Sequence, residues 1–353
     1  MALCLALLLR DNVKLMTKGI KMDATKIQES NILEIASLDQ KVILGINKVE
    51  KYAPQKTSLL RKSIILFLML TMSNPLTLAV LGLLNRLLFN PISSVFVCYP
   101  ATKKYQENYC FNFMLPFIKH YPVILGAFYQ GGRIGLITAI SSVESDFQSK
   151  DFFNKFSRWT NLLKKLLGVS SMTYSGILPS AMKKAEIMSK DELQERSRLV
   201  GDVVIDAEKE IRQRLNYAPN CPVIILGGKG NVGREVASKF LTYGRDIYIF
   251  DLGDQLPQEL RNRQVILIDI ARKGVLEKYI HEFWEGMAIV NETYPEPSRD
   301  VSRQLKEMNI PLFHVAGVKA VAIPKFPHAY AGGIPCCAMN PAKKVRALVR
   351  ELN

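Results

Sequence analysis

Two stretches of this chain carry residue types whose spacing suits chemistry. The first is PVIILGGKGNVGREVASKFLTYGRDIYIFD, from Pro222 to Asp251. An apolar run, Val223–Leu226, leads through Gly227 into Gly228-x-Gly230-x-x-Gly233. Glycines there let the backbone turn sharply and approach a pyrophosphate, whose charge rests on free N–H groups at the start of the next helix. Asn231, Val232 and Gly233 would open that helix, with Val236, Ala237, Phe240 and Leu241 on one face. A second apolar run, Ile247–Phe250, ends in Asp251, 21 residues beyond Gly230. An acid at that distance can accept from both ribose hydroxyls of an adenosine. Strand, glycines, helix, strand and acid in this order predict a Rossmann-type nucleotide-binding unit. The alternative is a tight strand–helix turn with no ligand.

Asp251 also bears on the cofactor. A carboxylate repels a 2′-phosphate, and no Arg or Lys stands among Leu252–Pro257 to receive one. NAD is therefore expected in preference to NADP. Lys229, inside the glycine loop, either meets a phosphate or faces solvent.

The second stretch runs from Lys325 to Cys337 and holds Lys, His328, Tyr330 and two thiols, Cys336 and Cys337, among prolines and glycines. Either cysteine is a candidate nucleophile for an acyl group, with His328 as its base. Buried packing is the other fate of such thiols. His328 or Tyr330 as proton donor to a carbonyl is a second route. Glu292 and Tyr294 follow a strand-like run at the end where a nicotinamide would approach, or they fix that loop. The histidines His120, His281 and His314 have no metal-like pairing, so no metal is expected.

These residues need elements to position them. Five or six apolar runs with helices between them, from Val223 to Ile323, are what a doubly wound sheet requires: 265–271, 287–292 and 311–323 as strands, 275–284 and 301–308 as helices. Upstream, 95–99 reads as a strand and 123–130 with 133–141 as a hairpin over Gly131-Gly132. Helices follow at 151–167 and from the capping-box pattern Ser189–Glu192 to about Leu215, with 169–180 between them as a strand entering a loop. The expected fold is α/β: residues 1–94 a helical segment with an apolar hairpin at 63–98, residues 95–215 an α/β substrate domain with a bridging helix, and residues 216–353 the doubly wound Rossmann domain.

Ser63–Asn85 runs 23 residues without a charge, long enough to cross a bilayer. Asn74-Pro75 interrupts it, and basic residues flank both ends, which predicts two short helices rather than a span. They dip into one membrane face, line a groove for a lipid tail, or form a buried hairpin. Short amphipathic helices are expected in 10–62. Met1–Leu9 is apolar but too short to span a membrane and lacks the basic start of a signal peptide.

The formal charge of +15 over 353 residues is spread along the chain. With no nucleic-acid-binding signature beside it, that excess argues against DNA or RNA and fits an anionic membrane, an acidic carrier protein, or simple solubility. Six cysteines without knuckle or framework spacing are read as reduced thiols in the cytoplasm, with peripheral contact on the inner membrane face as a further expectation. A homo-oligomer stays open.

The loop TYSGILPS (173–180), the bridging helix and GGKGNVG (227–233) together resemble the acyl-carrier-protein reductases that form fatty aldehydes. That resemblance implies that Gly227, Gly230 and Gly233 bind a nicotinamide cofactor and that a cysteine forms a thioester. NETYPEPS (291–298) is similar to the shikimate-dehydrogenase group, where a Tyr-Pro pair follows the same strand. The expected function is an NAD(P)-dependent oxidoreductase acting on an acyl thioester, aldehyde or other lipid-like carbonyl. A dehydrogenase of a small hydroxy or amino acid, and a nucleotide-binding regulatory protein without turnover, are the alternatives.

Overall fold

Asn74 and Pro75 decide how the uncharged run folds. In the computed structural model, which describes residues 59–353 apart from 101–102, 273, 294–295, 327–329, 331 and 341–344, Asn74 accepts the Thr77 N–H at 2.9 Å. Pro75 follows in the first turn, where its missing N–H forfeits no intrahelical bond. The products are helices α1 (Leu59–Thr71) and α2 (Pro75–Leu87), bent by 69°. The hairpin expected at 63–98 is thus shorter: the chain leaves α2 at Leu87, and Ile92–Cys98 is strand β1. No single helix among the described residues is long and apolar enough to cross a membrane. The expected helices up to residue 58, His328 and Tyr294 lie outside the described residues.

After β1 come helix α3 (Lys103–Tyr109) and one turn of helix, α4 (Leu115–Ile118). The hairpin β2 (Val123–Gln130) and β3 (Arg133–Ala139) follows, then α5 (Lys150–Leu167) and β4 (Ser171–Tyr174). The segment read as a loop after β4 instead forms α6 (Leu178–Lys184), with Pro in its first turn. The bridging helix α7 (Lys190–Arg214) begins as its capping box demands: Glu192 N–H donates to Ser189 Oγ at 3.1 Å, and Ser189 N–H donates to Glu192 Oε2 at 2.9 Å.

The second sheet uses β5 (Val223–Leu226), β6 (Ile247–Phe250), β7 (Val265–Asp269), β8 (Met287–Asn291) and β9 (Leu312–Lys319), all parallel in the order β6-β5-β7-β8-β9. Helix α8 (Asn231–Thr242) joins β5 to β6, and α9 (Arg299–Glu307) joins β8 to β9. The run read as one closing strand is two. Past Ala320, β10 (Val321–Ile323) leaves β9 and pairs antiparallel with β2, so the first sheet reads β10-β2-β3-β1-β4. Strand β11 (Gly333–Ile334) then pairs with the far end of β9 at Val318 and Lys319, and β12 (Ala347–Glu351) closes the sheet antiparallel to β9.

The helix expected over 275–284 is instead two 3-10 turns, Leu276–Lys278 and Ile280–Glu282. The middle and the far end of that segment are tethered. Tyr279 Oη accepts the Gly253 N–H at 2.8 Å, and Trp284 Nε1 donates to the Arg263 carbonyl at 2.9 Å. These contacts hold the chain in short turns despite its helical apolar spacing.

Alternate residues of each parallel strand enter opposite cores, as the two-residue period requires. Val223, Ile225, Ile266 and Ile268 pack with Val203, Val204, Ala207 and Ile211 of α7, while Ile224, Leu226, Leu267 and Ile289 face Tyr279, Phe283 and Trp284. Phe96, Phe128 and Ile137 of the first sheet belong to the same core as the α7 residues. One apolar layer therefore joins both sheets. Buried Glu208 of α7 pins this layer through Arg212 at 3.0 Å and Arg245 at 2.9 Å, and Arg245 also donates to the Cys221 carbonyl. A buried carboxylate is tolerable only with such partners.

Candidate active site

The loops that follow β5, β7 and β8 all leave the same end of the second sheet, the end where doubly wound sheets bind ligands. Gly227, after β5, has φ of +86°, and a Cβ on it would lie 2.6 Å from Ala271 N in the loop after β7. A Cβ on Gly233 would lie 2.3 Å from the Gly227 carbonyl oxygen. Only glycine closes this turn. Gly230 donates its N–H to the Gly227 carbonyl at 3.0 Å and becomes the N-cap of α8, without a side-chain cap. The N–H groups of Asn231, Val232 and Gly233 have no intrahelical acceptor at that position and point to an anion.

Asp251 closes the other side of the turn. Its Oδ2 accepts the Lys229 N–H at 3.3 Å and its Oδ1 accepts the Leu252 N–H at 2.9 Å. Lys229, ambiguous in sequence, pairs with Asp254 at 2.8 Å, and Asp254 also accepts the Asp251 N–H. That ion pair holds the Asp254 carboxyl below its ordinary pKa. Gly227, Gly228, Gly230, Asn231, Val232, Gly233 and Asp251 thus meet at the ends of β5 and β6. The second sheet is a Rossmann-type fold. Its strands run 2-1-3-4-5 in order of appearance, so the switch point lies between β5 and β7, beside Gly227 and Ala271.

A continuous line of contacts leads from this turn to the thiols. Ala271 touches Gly227, and the Ala271 carbonyl accepts Thr293 Oγ1 at 2.5 Å. The Glu292 N–H donates to the Asp269 carbonyl at 2.9 Å. The Cys336 thiol lies 3.6 Å from Glu292 Oε1. Cys336 and Cys337 occupy a 3-10 turn after β11 and are half-buried, and the turn packs on β4, β9 and α7. The Cys337 thiol is lowered from its ordinary pKa by a hydrogen bond with Cys336 against the opposing effect of burial, with the Gly176 N–H helping. Cys336 is raised by that same bond and by burial. Burial, with Cys336 beside it, also pushes the Glu292 carboxyl well above its ordinary value. The arrangement is a thiol lowered by its thiol neighbour, with a carboxyl raised by burial behind it.

The first sheet supplies the opposite wall. Gly176, at φ of +52°, follows β4 and packs against Tyr99 Oη. The Arg196 guanidinium of α7 lies 5.2 Å from the Tyr174 ring centroid, bonds the Met172 carbonyl and lies within electrostatic reach of Cys337; its Nε is buried with no hydrogen-bond partner among the described residues. Gly176 and Arg196 were not singled out in the sequence, where nothing separates them from an ordinary loop glycine and helix arginine. Of the expected catalytic residues, Cys336 and Cys337 come together. Tyr330 stands edge-on to Phe326 at 6.1 Å, and Phe326 leans on Phe96 at 6.2 Å.

Polar residues inside the apolar strands form a second layer beneath the site. Asn291 Nδ2 lies 2.8 Å from His314 Nδ1, and His314 Nε2 lies 3.8 Å from Glu296. Burial lowers His314 to about 3 and raises Glu296 to about 7 and Asp269 to about 8. No group of three His, Cys, Asp or Glu among the described residues could hold a metal ion. A surface concavity of about 510 Å³ lined by Lys119, His120, Asp146, Asp151, Phe152 and Lys155 shares no residue with this site. Its charges pair with each other, Lys119 with Asp146 at 2.9 Å and Lys155 with Asp151 at 2.8 Å.

No protein-family model and no curated protein matches this chain. Among solved structures it is similar to a dipicolinate synthase subunit from Bacillus halodurans, at 13% identity over 62% of this chain and 88% of that one, with a TM-score of 0.26. It is also similar to a glyoxylate reductase from Paecilomyes thermophila, at 15% identity over 62% of this chain and 80% of that one, with a TM-score of 0.27.

Proposed function

We propose that this chain is an NAD(P)-dependent oxidoreductase that accepts an acyl group on Cys337 and releases it as an aldehyde. The observation that carries the reading is the Cys337 thiol, lowered by Cys336 and the Gly176 N–H and linked through Glu292 and Ala271 to the glycine turn. The uncapped N–H groups of Asn231–Gly233 would hold the dinucleotide phosphates and Asp251 the adenosine ribose, and the bound reduced cofactor supplies a hydride. The Asp251 carboxylate favours NAD over NADP.

The chain's own residues perform the rest. The Cys337 thiolate attacks the carbonyl carbon of a carrier thioester; the Cys337 S–C bond forms and the carrier S–C bond breaks. The departing carrier thiolate takes a proton from Glu292, whose pKa burial raises, passed through the Cys336 thiol. After reduction of the thioester carbon, the bond to Cys337 breaks, the aldehyde leaves, Cys337 is again a thiolate and a solvent proton restores Glu292. The test follows reduced-nicotinamide consumption with an acyl thioester and aldehyde formation. Turnover lost in Cys337→Ser with dinucleotide binding retained supports the reading; turnover unchanged in Cys337→Ser overturns it.

Arg196 favours a second reading, a dehydrogenase of a small keto or hydroxy acid. Its orphaned Nε beside the thiols suits a substrate carboxylate. In that case turnover of small keto acids survives Cys337→Ser and is lost in Arg196→Lys.

A further inference from the structure

The α1–α2 hairpin presents an apolar face that the other described residues leave exposed. Its inner side is fixed to the first sheet and to α5. Leu78, Gly82 and Asn85 are buried; Asn85 Nδ2 donates to the carbonyls of Ile92 at 3.0 Å and Leu167 at 3.1 Å, and its Oδ1 accepts the Ile92 N–H at 2.8 Å. At the bend, Ser73 Oγ accepts the Ile124 N–H at 2.9 Å. The hairpin is therefore a rigid part of the body.

Its outer side is the reverse of a solvent-facing helix. Leu76, Val80, Leu83 and Leu87 recur at helical spacing along α2, all exposed, with Leu76 at 76% and Leu87 at 65%. Leu60, Ile64 and Phe67 do the same along α1, and Phe89 follows α2 at 95% exposure. A helix that is apolar on both sides belongs in contact with an apolar phase. Cations stand at both ends of this uncharged face. Lys62 lies 5.7 Å over the Phe111 ring, and exposed Arg86 donates to the Lys165 carbonyl at 3.0 Å, beside exposed Lys164.

We infer that this face docks on a bilayer bearing anionic headgroups, with the α1 and α2 side chains among the upper acyl carbons and Lys62, Arg86, Lys164 and Lys165 on the phosphates. Charge selects this occupant over a second copy of the chain. Twofold pairing of the face would bring cation-bearing ends together, whereas a sheet of phosphates complements them. The two bent helices lie along the surface, since neither is long enough to cross it.

The full chain is tested by co-sedimentation with vesicles of phosphatidylcholine alone and of phosphatidylcholine with phosphatidylglycerol. Binding is expected with the anionic vesicles, reduced about tenfold or more by Leu76→Glu with Leu83→Glu, and weakened by Lys164→Glu with Lys165→Glu. Circular dichroism and dinucleotide binding, unchanged in both variants, show that the body remains folded. Failure of the full chain to bind anionic vesicles, or undiminished binding by the folded Leu76→Glu, Leu83→Glu variant, overturns the inference. So does a concentration-dependent dimer in sedimentation velocity that those substitutions dissolve while vesicle binding persists.

Discussion

The Cys336 thiol and the Glu292 carboxyl, 44 positions apart in the chain, lie 3.6 Å from each other. The contact joins the turn after β11 to the end of β8. It forms because β9 outruns β8 and leaves Val318 and Lys319 for β11 to pair with. Burial raises the carboxyl well above its ordinary pKa, which favours the proton that the proposed reaction hands to a leaving thiolate. Glu292→Gln keeps the shape and removes that proton. Its turnover of an acyl thioester falls about 100-fold or more in steady-state assays, with dinucleotide affinity unchanged.

The described cysteines differ in their expected reactivity. Burial pushes Cys98 up to about 12, and Cys110 and Cys221 up to about 11, whereas Cys337 is lowered by its Cys336 partner. Brief iodoacetamide treatment at neutral pH, read by peptide mass spectrometry, labels Cys337 before those three.

The glycine turn grades its own substitutions. A Cβ on Gly230 would lie 3.2 Å from the Gly227 oxygen, and a Cβ on Gly233 only 2.3 Å from the same atom. Gly233→Ala therefore lowers stability by about 1–3 kcal/mol and abolishes dinucleotide binding, with Gly230→Ala the milder of the two. Thermal melts and fluorescence titration with NADH measure both.

Buried titratable groups shape the pH dependence of stability, three of them with a defined window. Asp269 at about 8 and Glu296 at about 7 are raised above their ordinary 3.8 and 4.5, so the folded chain holds protons that the unfolded chain releases. Their contribution is present at low pH and lost as pH rises through those values. His314, lowered from 6.5 to about 3, acts oppositely: its contribution is present above 6.5 and lost as pH falls toward 3. Between about 4.5 and 6.5 His314 offsets only one of the two carboxyls; from about 6.5 to 8 the carboxyls act alone. Unfolding free energy is expected to fall across that window by up to about 1.4 kcal/mol per pH unit for each group still protonated. Asp269→Asn flattens the fall in urea melts.

Much of the second sheet was legible because its parallel strands read as unbroken apolar runs: Val223–Leu226, buried throughout, and the edge strand Ile247–Phe250, buried only at Phe250, fold as their sequence predicts. The shape of the glycine turn and its closure by Asp251 were readable too, since both lie within one strand–helix–strand unit. The 275–284 segment misled because Tyr279 and Trp284 obey contacts with Gly253 and Arg263 rather than their own periodicity. No local signal tells that Val321–Ile323 crosses to the other sheet, because pairing with β2 spans nearly 200 residues of chain. The buried polar layer did leave a trace: Asp269, Asn291 and His314 each interrupt an apolar strand. Gly176 and Arg196 left none, since their roles arise only where the two sheets meet.

In the proposed reaction Cys337 carries the acyl group. Intact-protein and peptide mass spectrometry after incubation with an acyl thioester, without reduced nicotinamide, tests it most directly. The expected result is one acyl increment, mapped to Cys337, absent in Cys337→Ser and discharged on adding NADH. An unmodified chain, or an acyl group on any other residue, would contradict it.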